Sequence, residues 1–186
     1  LVVLFALGLE SGGLIDQMSD VVTTRCATFV ERAGKLDGKR LVVCETGVGC
    51  EAAAGATDDL IKVYQPRWIV SAGFAGALAP ELRRGHVVMA SSLVDEQRQP
   101  LQVGFLMDPA VIQATPSLHV GRLLTIDRLV RHRQEKEQLA NDYEAIACDM
   151  ETMAVAQACR RQQVRFLSVR VISDQLDDKL PAEVEH

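Results

Sequence analysis

The sequence has few aromatic residues, no strong excess of either charge and no closely paired cysteines. Aromatic residues make up 4% of the 186 residues, and the formal net charge is -5. A mildly acidic chain has no general attraction for polyphosphate or for an anionic membrane, so we expect neither nucleic acid nor a membrane as a partner. A small neutral or cationic ligand is easier to accommodate.

The five cysteines show no CxxC spacing and lie mostly in apolar stretches. This usage is typical of buried thiols in the reducing cytoplasm, and it predicts neither a metal site nor a disulfide. The first nine residues are apolar but too few to cross a bilayer, and no basic segment precedes them as in a secretory signal. They indicate a buried strand of a cytoplasmic protein.

The length and a hydrophobic content of 48% fit one domain with a sizeable core. Because the chain starts without Met and ends at His186 within a predicted helix, we expect a single domain over residues 1–186 that lacks a C-terminal helix. Apolar runs alternate with helical segments, which predicts an α/β fold with three layers, a mixed, partly parallel central sheet and helices on both faces.

The pattern also predicts the individual elements. Strands are expected over residues 1–7, 22–30, 36–45, 67–72, 120–126 and 166–172. Helices are expected from about Leu14, over residues 50–64 and over residues 107–115, with a tight turn at Asp37-Gly38. The mixed charge run over residues 131–137 is expected to be a solvated helix face rather than an anion site.

The segment over residues 148–178 carries the strongest functional signal. Its pattern indicates an acidic strand end, a short helix, and then a buried strand that ends in two polar residues. Ligands of parallel α/β sheets bind beyond the carboxyl ends of the strands, so both polar ends should meet in one crevice. The crevice is expected to contain Asp149, Met150, Glu151, Ser173 and Asp174.

The segment Gly47-x-Gly49 formally matches a dinucleotide-binding fingerprint, since it follows a strand and opens a helix. That fingerprint also needs an acid at the end of the next strand to hold a ribose hydroxyl. The next strand ends in Gly73 without an acid, so we expect no nicotinamide or flavin cofactor. The two glycines instead favour a close approach of the backbone to a ligand or a neighbouring strand.

The sequences DMETMAVAQAC (residues 149–159) and VRVISD (residues 169–174) together resemble the paired signature of the purine nucleoside phosphorylase and methylthioadenosine nucleosidase superfamily. In that family the first segment holds the ribose and the second holds the purine. The Gly-rich segments extend the resemblance over most of the chain. It implies a purine nucleoside as partner, no metal or organic cofactor, and a homo-oligomer of two or more subunits.

The resemblance also implies roles for single residues. Asp174, oriented by Ser173, would protonate the departing base, and Glu151 with Met150 would hold the ribose. Glu10 would position the attacking water, although an acid at a helix start is also favoured by the helix dipole alone. As a proton donor, Asp174 needs burial or a nearby carboxylate to be partly protonated near neutral pH. Further implied site residues are Asp149, Ala72, Gly73, Phe74, Leu129 and Val130.

Two departures from the family favour water over phosphate as the nucleophile. Phosphorylases commonly carry an Arg before the Gly-rich loop and a Ser or Thr within it, and here Ser71 and Phe74 stand at those places. Phosphate could still be held by the amides of Gly12 and Gly13 at a helix start, or by Arg25.

The function that the resemblance implies is hydrolysis of the N-glycosidic bond of a purine nucleoside, an adenosine modified at its 5′ position. Two alternatives stay open. A phosphorylase on the same fold would depend on phosphate, and a non-catalytic nucleoside-binding protein would bind purine without turnover.

Overall fold

The structure is a computed structural model that describes residues 1–105 and 107–178. The C-terminal part of the chain, where we expected an interrupted helix, lies outside these residues. The helices are α1 (Gly8–Ile15), α2 (Cys50–Tyr64), α3 (Pro109–Ala114), α4 (Arg133–Tyr143) and α5 (Thr152–Arg161). The strands are β1 (Val2–Phe5), β2 (Ser19–Arg25), β3 (Val30–Leu36), β4 (Lys39–Glu45), β5 (Trp68–Ala77), β6 (Val87–Asp95), β7 (Pro100–Gln102), β8 (Leu118–Thr125), β9 (Ala147–Asp149) and β10 (Arg165–Asp174).

The strands form one mixed sheet, part of which closes into a barrel. Neighbouring strands follow the order β10-β6-β8-β9-β5, and β10 also pairs with β5, which closes this ring of five. From β5 the sheet continues through β1, β4, β3 and β2, while β7 pairs with β6. β1 is parallel to β4 and β5, and β10 is parallel to β5, whereas β9 is antiparallel to β5. The predicted mixed sheet is confirmed.

Strand β1 is buried on both faces, as expected for a strand covered by helices on each side. Val2 and Leu4 pack in one core cluster with residues of α2 and α5. Val3 and Phe5 pack in another, with Leu14 of α1 against it. The sheet therefore lies between two helical layers, which confirms the predicted three-layer arrangement.

Small residues bring α5 close to the sheet and to α2. Most of α5 is buried, including Ala154, Ala156 and Ala158. On α2, Ala53 and Ala56 are buried in the same cluster as Val155 and Cys159. Close backbone packing at this point fixes the start of α5, which carries part of the candidate site described below.

Helix α1 begins at Gly8, so the predicted start near Leu14 is wrong. The Glu10 carboxylate explains the early start, because its Oε2 accepts a hydrogen bond of 2.8 Å from the Leu7 amide. Ser11 also donates to the Gly8 carbonyl at 3.1 Å. These two local bonds satisfy groups at the helix start, and the glycines that follow are accommodated inside the helix.

Two predicted strand boundaries are also wrong. The strand predicted over residues 22–30 crosses the break between β2 and β3. Asp37 and Gly38 do form the predicted turn, with positive φ values of 48° and 74°, but they join β3 to β4. The strand predicted to end at residue 72 runs on to Ala77, because its Gly-rich part stays paired with β10.

Candidate active site

A cavity of about 330 Å³ opens where the ends of β1, β5, β9 and β10 come together. It brings together nine of the residues predicted for the site, namely Glu10, Phe74, Leu129, Val130, Asp149, Met150, Glu151, Ser173 and Asp174. Ala72 and Gly73 do not line it. Ala72 packs instead against the core cluster beneath α1.

A bulge in β10 explains why two consecutive residues of that strand reach the same cavity. The register between β10 and β5 shifts between Ile172 and Asp174. In a regular strand, adjacent side chains point to opposite faces, and a bulge re-aims one of them. Ser173 and Asp174 therefore both line the cavity.

The Asp174 carboxylate is buried and held at both oxygens. Its Oδ1 accepts a hydrogen bond of 2.8 Å from Ser173 Oγ, which agrees with the predicted orienting role of Ser173. Its Oδ2 lies 2.5 Å from the Nζ atom of Lys136. Burial was expected, but the charged partner is a cation and not the carboxylate that the sequence led us to consider.

Lys136 corrects the prediction for the charge run over residues 131–137. The run does begin α4, and Arg133 is exposed and pairs with Glu137 and Asp177, as expected for a solvated face. Lys136, however, is fully buried and points to Asp174. It shares the inner face of α4 with the buried Leu139, one turn away, which a run of charged letters does not reveal.

Arg170 is a site-supporting residue that the sequence reading missed. It is 1% exposed in the middle of β10, and its Nη2 lies 2.7 Å from Asp149 Oδ2. The guanidinium also donates to Ser71 Oγ at 2.7 Å and to Thr152 Oγ1 at 2.6 Å. An Arg within a mainly apolar strand that we expected to be buried was the available signal, because such a charge is rarely buried without partners.

Asp149 is satisfied by a network that fixes the start of α5. Its Oδ1 accepts from Thr125 Oγ1 at 2.8 Å, and its Oδ2 accepts from the Thr152 amide at 3.2 Å. Thr125 Oγ1 in turn accepts from the Met153 amide at 3.0 Å. The carboxylate thus ties β8 and β9 to the first turn of α5.

Glu151 occupies the N-cap position of α5 and lines the cavity. Its Oε1 accepts a hydrogen bond of 3.0 Å from the Gly49 amide. Burial, and then the negative charge of Asp149, raise the pKa of Glu151 to about 7. Gly49 has a φ of 97°, a conformation that favours glycine. The glycines after β4 therefore present an amide to a side chain at the start of α5, whereas we expected a close approach to a ligand or a neighbouring strand.

Glu10 and Arg170 converge on Gly73 from opposite sides. Glu10 Oε1 accepts a hydrogen bond of 2.8 Å from the Phe74 amide. A Cβ atom at Gly73 would lie 2.5 Å from Arg170 Nη1 and 2.6 Å from Glu10 Oε1. The absence of a side chain at this position therefore leaves room for both the carboxylate and the guanidinium.

A family model described as Phosphorylase superfamily matches residues 1–186. The chain belongs to the phosphorylase superfamily. The resemblance drawn from the two sequence motifs is thereby confirmed, as is the fold that it implied.

Superfamily members similar to this chain include 5′-methylthioadenosine/S-adenosylhomocysteine nucleosidases. That of Shewanella loihica is 27% identical over 97% of this chain and 88% of its own length, and that of Tolumonas auensis is 28% identical over the same shares. The crystal structure of the Neisseria meningitidis enzyme with methylthio-immucillin-A has a TM-score of 0.82 and 25% identity, over 95% of this chain and 86% of that one. The Streptococcus pneumoniae enzyme with 8-aminoadenine, 22% identical with a TM-score of 0.81 over 95% and 85%, shows the shared fold.

The described part of this phosphorylase-superfamily chain offers no metal centre. In residues 1–105 and 107–178, no group of three or more His, Cys, Asp or Glu side chains could hold a metal ion. Across the same ranges, no helix has the length and apolar character needed to cross a membrane. All five cysteines are free, and Cys26 is exposed, unlike the expected buried thiols. Burial raises the pKa of the Cys44 thiol to about 12, so this thiol stays protonated.

Proposed function

We propose that this chain hydrolyses the N-glycosidic bond of 5′-substituted adenosines and releases adenine. The observation that carries the proposal is the convergence of Glu10, Glu151 and Asp174 on one cavity. Breaking the bond places positive charge on the ribose and negative charge on the departing base. The reaction therefore needs a proton for the base, a hold on the ribose and a positioned water. The nucleosidase names of the similar proteins support this assignment.

Asp174 is the group proposed to give the proton to the base. Its carboxylate lines the cavity, and Ser173 and Lys136 fix both of its oxygens. A fixed donor within hydrogen-bond reach of a leaving nitrogen is what general acid catalysis requires. Leu129 and Val130 lie in the lining of the same cavity and offer aliphatic contact to the planar base.

Glu151 is the group proposed to hold the ribose. One of its carboxylate oxygens accepts from the Gly49 amide, and no hydrogen bond to the other is found among the described residues. A carboxylate can accept several hydrogen bonds, so the second oxygen is available to the ribose hydroxyls. Met150 provides apolar surface in the lining beside it.

Glu10 is the group proposed to take a proton from the attacking water. Its two oxygens accept from the Leu7 and Phe74 amides, so the carboxylate is held rigidly at the cavity wall. Arg170 Nη1 lies beside the same backbone, but Arg170 is buried and does not line the cavity, so the proposed orientation of the water rests on Glu10.

The surroundings of Glu10 favour water over phosphate. A carboxylate and a phosphate oxygen at about 4 Å repel each other by roughly 4 kcal/mol at an effective dielectric of ~20. Ser71 is buried and bonded to Arg170, and the phenyl ring of Phe74 replaces a hydroxyl that could bind phosphate. Phosphate would therefore lack ligands on this side of the cavity.

The other phosphate sites considered from the sequence also lose their support. Gly12 and Gly13 lie in the second turn of α1, where the helix uses their amides, and not at its start. Arg25 is exposed on β2, at the far edge of the sheet from the cavity.

Product analysis tests the proposal directly. The chain is incubated with 5′-methylthioadenosine in phosphate-free buffer and in concentrated phosphate, and the base and sugar products are identified by mass spectrometry. We expect equal release of adenine in both buffers and a free 5′-methylthioribose. A sugar 1-phosphate formed only with phosphate would indicate a phosphorylase, and binding without any product would indicate a nucleoside-binding protein.

We also infer that the chain forms a homo-oligomer through the face that carries the cavity mouth. Leu7 and Phe74 line the cavity yet are 45% and 41% exposed, and Leu9 beside them on α1 is 83% exposed. An apolar rim of this kind is typical of a surface that a second subunit covers. Light scattering of the wild-type chain and of Leu9→Glu tests this inference, and a wild-type monomer would contradict it.

A further inference from the structure

Lys136 is a fully buried cation that lies behind the cavity and not in its lining. Its Nζ donates to Asp174 Oδ2 at 2.5 Å and to the Gln175 carbonyl at 2.6 Å. Both acceptors belong to the end of β10 and the residue after it. Within the part of the chain that the structure describes, the polar contacts of this ammonium thus go to the carboxylate proposed as the general acid and to its neighbour.

A purely structural role explains Lys136 poorly. A buried ammonium is costly even when it is paired, and replacing a buried ion pair by apolar residues is often neutral or stabilising. Lys136 and Leu139 share the inner face of α4, where an apolar side chain would pack at lower cost. The buried ammonium of Lys136 therefore indicates a functional role at Asp174.

We propose that Lys136 is a positioning residue and proton source for Asp174, so that the ion pair, and not Asp174 alone, protonates the departing base. This inference rests on the proposed hydrolysis. A lone carboxyl would have to hold its position at the base and also carry the proton. In the proposed pair, the carboxylate holds the position at the base and the ammonium carries the proton.

Each proton in the proposed step has a donor and an acceptor. As the C–N bond breaks, its electron pair stays on the base, which takes a proton from the Asp174 carboxyl. An N–H bond of Lys136 breaks as an O–H bond forms on Asp174, and the lysine is left as a neutral amine. The water oxygen bonds to the ribose and its proton passes to Glu10. That proton returns through solvent to Lys136 when the products leave.

Two of the groups near the pair keep one charge state across the pH range that tests the proposal. Titratable side chains that interact electrostatically with this region include Cys148 and Asp149 on β9, Glu135 on α4 and Asp178 after β10. Burial raises the pKa of the Cys148 thiol to about 12, so it stays neutral. A backbone hydrogen bond and an arginine lower the pKa of Asp178, so it stays ionised.

The first measurement uses the wild-type chain and 5′-methylthioadenosine. A proton stored on an amine is kept to higher pH than one stored on a carboxyl, since lysine ordinarily titrates near ~10.4 and aspartate near ~3.9. We expect kcat to stay level from about pH 8 to about pH 9.5. A decline of kcat with a midpoint below about pH 7.5 would overturn the proposal.

The second measurement compares variants at the same position. Lys136→Met keeps the length of the side chain and removes the proton, and we expect kcat to fall by about 10² to 10⁴ with an alkaline limb at lower pH. Lys136→Arg keeps a cation that does not release its proton, so kcat should stay within about tenfold of the Met variant. Arg133→Met, an exposed cation of the same helix, is the control and should keep the wild-type rate.

The outcomes separate this inference from the function on which it rests. A folded Lys136→Met with a wild-type rate, or a full rate in Lys136→Arg, would overturn the role of Lys136 and leave the hydrolysis standing. If thermal melting shows that the variants do not fold, the wild-type pH profile decides. Absence of adenine release by the wild type would overturn the proposed function itself.

Discussion

The guanidinium of Arg170 and the carboxylate of Asp149 form an ion pair of 2.7 Å beneath the candidate site. Both side chains are buried, and hydroxyl groups of Ser71 and Thr152 also accept hydrogen bonds from the guanidinium. The pair joins β9 to β10 at the point where both strands deliver site residues. The ion pair therefore holds these two strands in the geometry that the site needs. Breaking the pair should lower the stability of the fold.

Replacing Asp149 by Asn should destabilise the fold strongly. The change leaves the Arg170 charge buried without its counter-charge, which typically costs about 3 to 5 kcal/mol. Urea unfolding measures the loss. The control is Asp20→Asn, because Asp20 pairs with Lys35 on the exposed surface, where such pairs contribute about 0 to 1 kcal/mol. Equal unfolding midpoints for the two variants would contradict the scaffold role of Asp149.

Gly73→Ala should lower turnover far more than it lowers stability. The added Cβ would lie 2.5 Å from Arg170 Nη1 and 2.6 Å from Glu10 Oε1, and Gly73 has a φ of 149°. One of the two groups must move, so we expect a loss of kcat of about tenfold or more, since small misplacements at a site can cost ~10²-fold. Gly55→Ala is the control, because nothing lies within 4 Å of its added Cβ in the middle of α2. Wild-type kcat in Gly73→Ala would show that the convergence over Gly73 is unimportant.

The residues that line the candidate cavity could be predicted where the signal was local. Acids and hydroxyls at strand ends predicted Glu151, Ser173 and Asp174, because parallel strands deliver their carboxyl ends to one edge. Glu10 was found in the same way, although the helix that carries it starts earlier than expected. The general three-layer order of the fold followed from the alternation of apolar runs.

The sequence could not reveal which charges are buried. Lys136 lies in a run of charged letters, and only the packing of α4 shows that it faces inward. Arg170 stands in an apolar strand, and its partners Asp149 and Thr152 come from elements about 20 residues away. Long-range pairing of this kind depends on the tertiary fold and leaves no periodic pattern.

Asp174→Asn should lower kcat strongly while nucleoside binding stays within about tenfold of wild type. The amide can still form hydrogen bonds with the base but cannot protonate it, and general acid catalysis contributes about 10² to 10⁴-fold. Steady-state kinetics and calorimetry measure the two quantities. Asp177→Asn is a matched control, since Asp177 is 71% exposed nearby in sequence and pairs with Arg133 at the surface. A wild-type rate in Asp174→Asn would remove Asp174 from the mechanism.

Glu151 should make nucleoside binding depend on pH. Its pKa is raised to about 7, so the carboxylate is ionised above this value and protonated below it. The ionised form accepts hydrogen bonds from the ribose, so affinity for a nucleoside should fall as the pH falls. At pH 6 only about one tenth of the groups are ionised, which predicts a loss of about tenfold relative to pH 8.

Free adenine provides the contrast, because it has no ribose for Glu151 to hold. Calorimetry at pH 6 and pH 8 should show little change for adenine, and Glu151→Gln should weaken the nucleoside alone. In that variant the pH dependence should also disappear. Parallel losses for nucleoside and free adenine would mean that Glu151 supports the structure and does not bind the ribose.

Glu10→Gln should nearly abolish adenine release, by about 10²-fold or more, because an amide cannot accept a proton from water. The helix-dipole interpretation of Glu10 predicts instead a loss of only about 0.3 to 1 kcal/mol of stability. Glu51→Gln is the matched control, since Glu51 is also an acid in the first turn of a helix but lies on the exposed start of α2.

The glutamine variant has a second effect that the experiment must separate. Both Glu10 oxygens accept from backbone amides, so a glutamine would turn its own N–H groups toward the Leu7 or the Phe74 amide and lose one bond. Glu10→Ala with added formate resolves the two effects, because formate restores a proton acceptor without restoring the tether. We expect added formate to restore part of the rate of Glu10→Ala. Formate should leave the rate of Glu51→Gln unchanged, because this control variant should already have the wild-type rate. Full activity in Glu10→Gln would leave the helix dipole as the whole explanation of Glu10, and water would then have to be activated by another group.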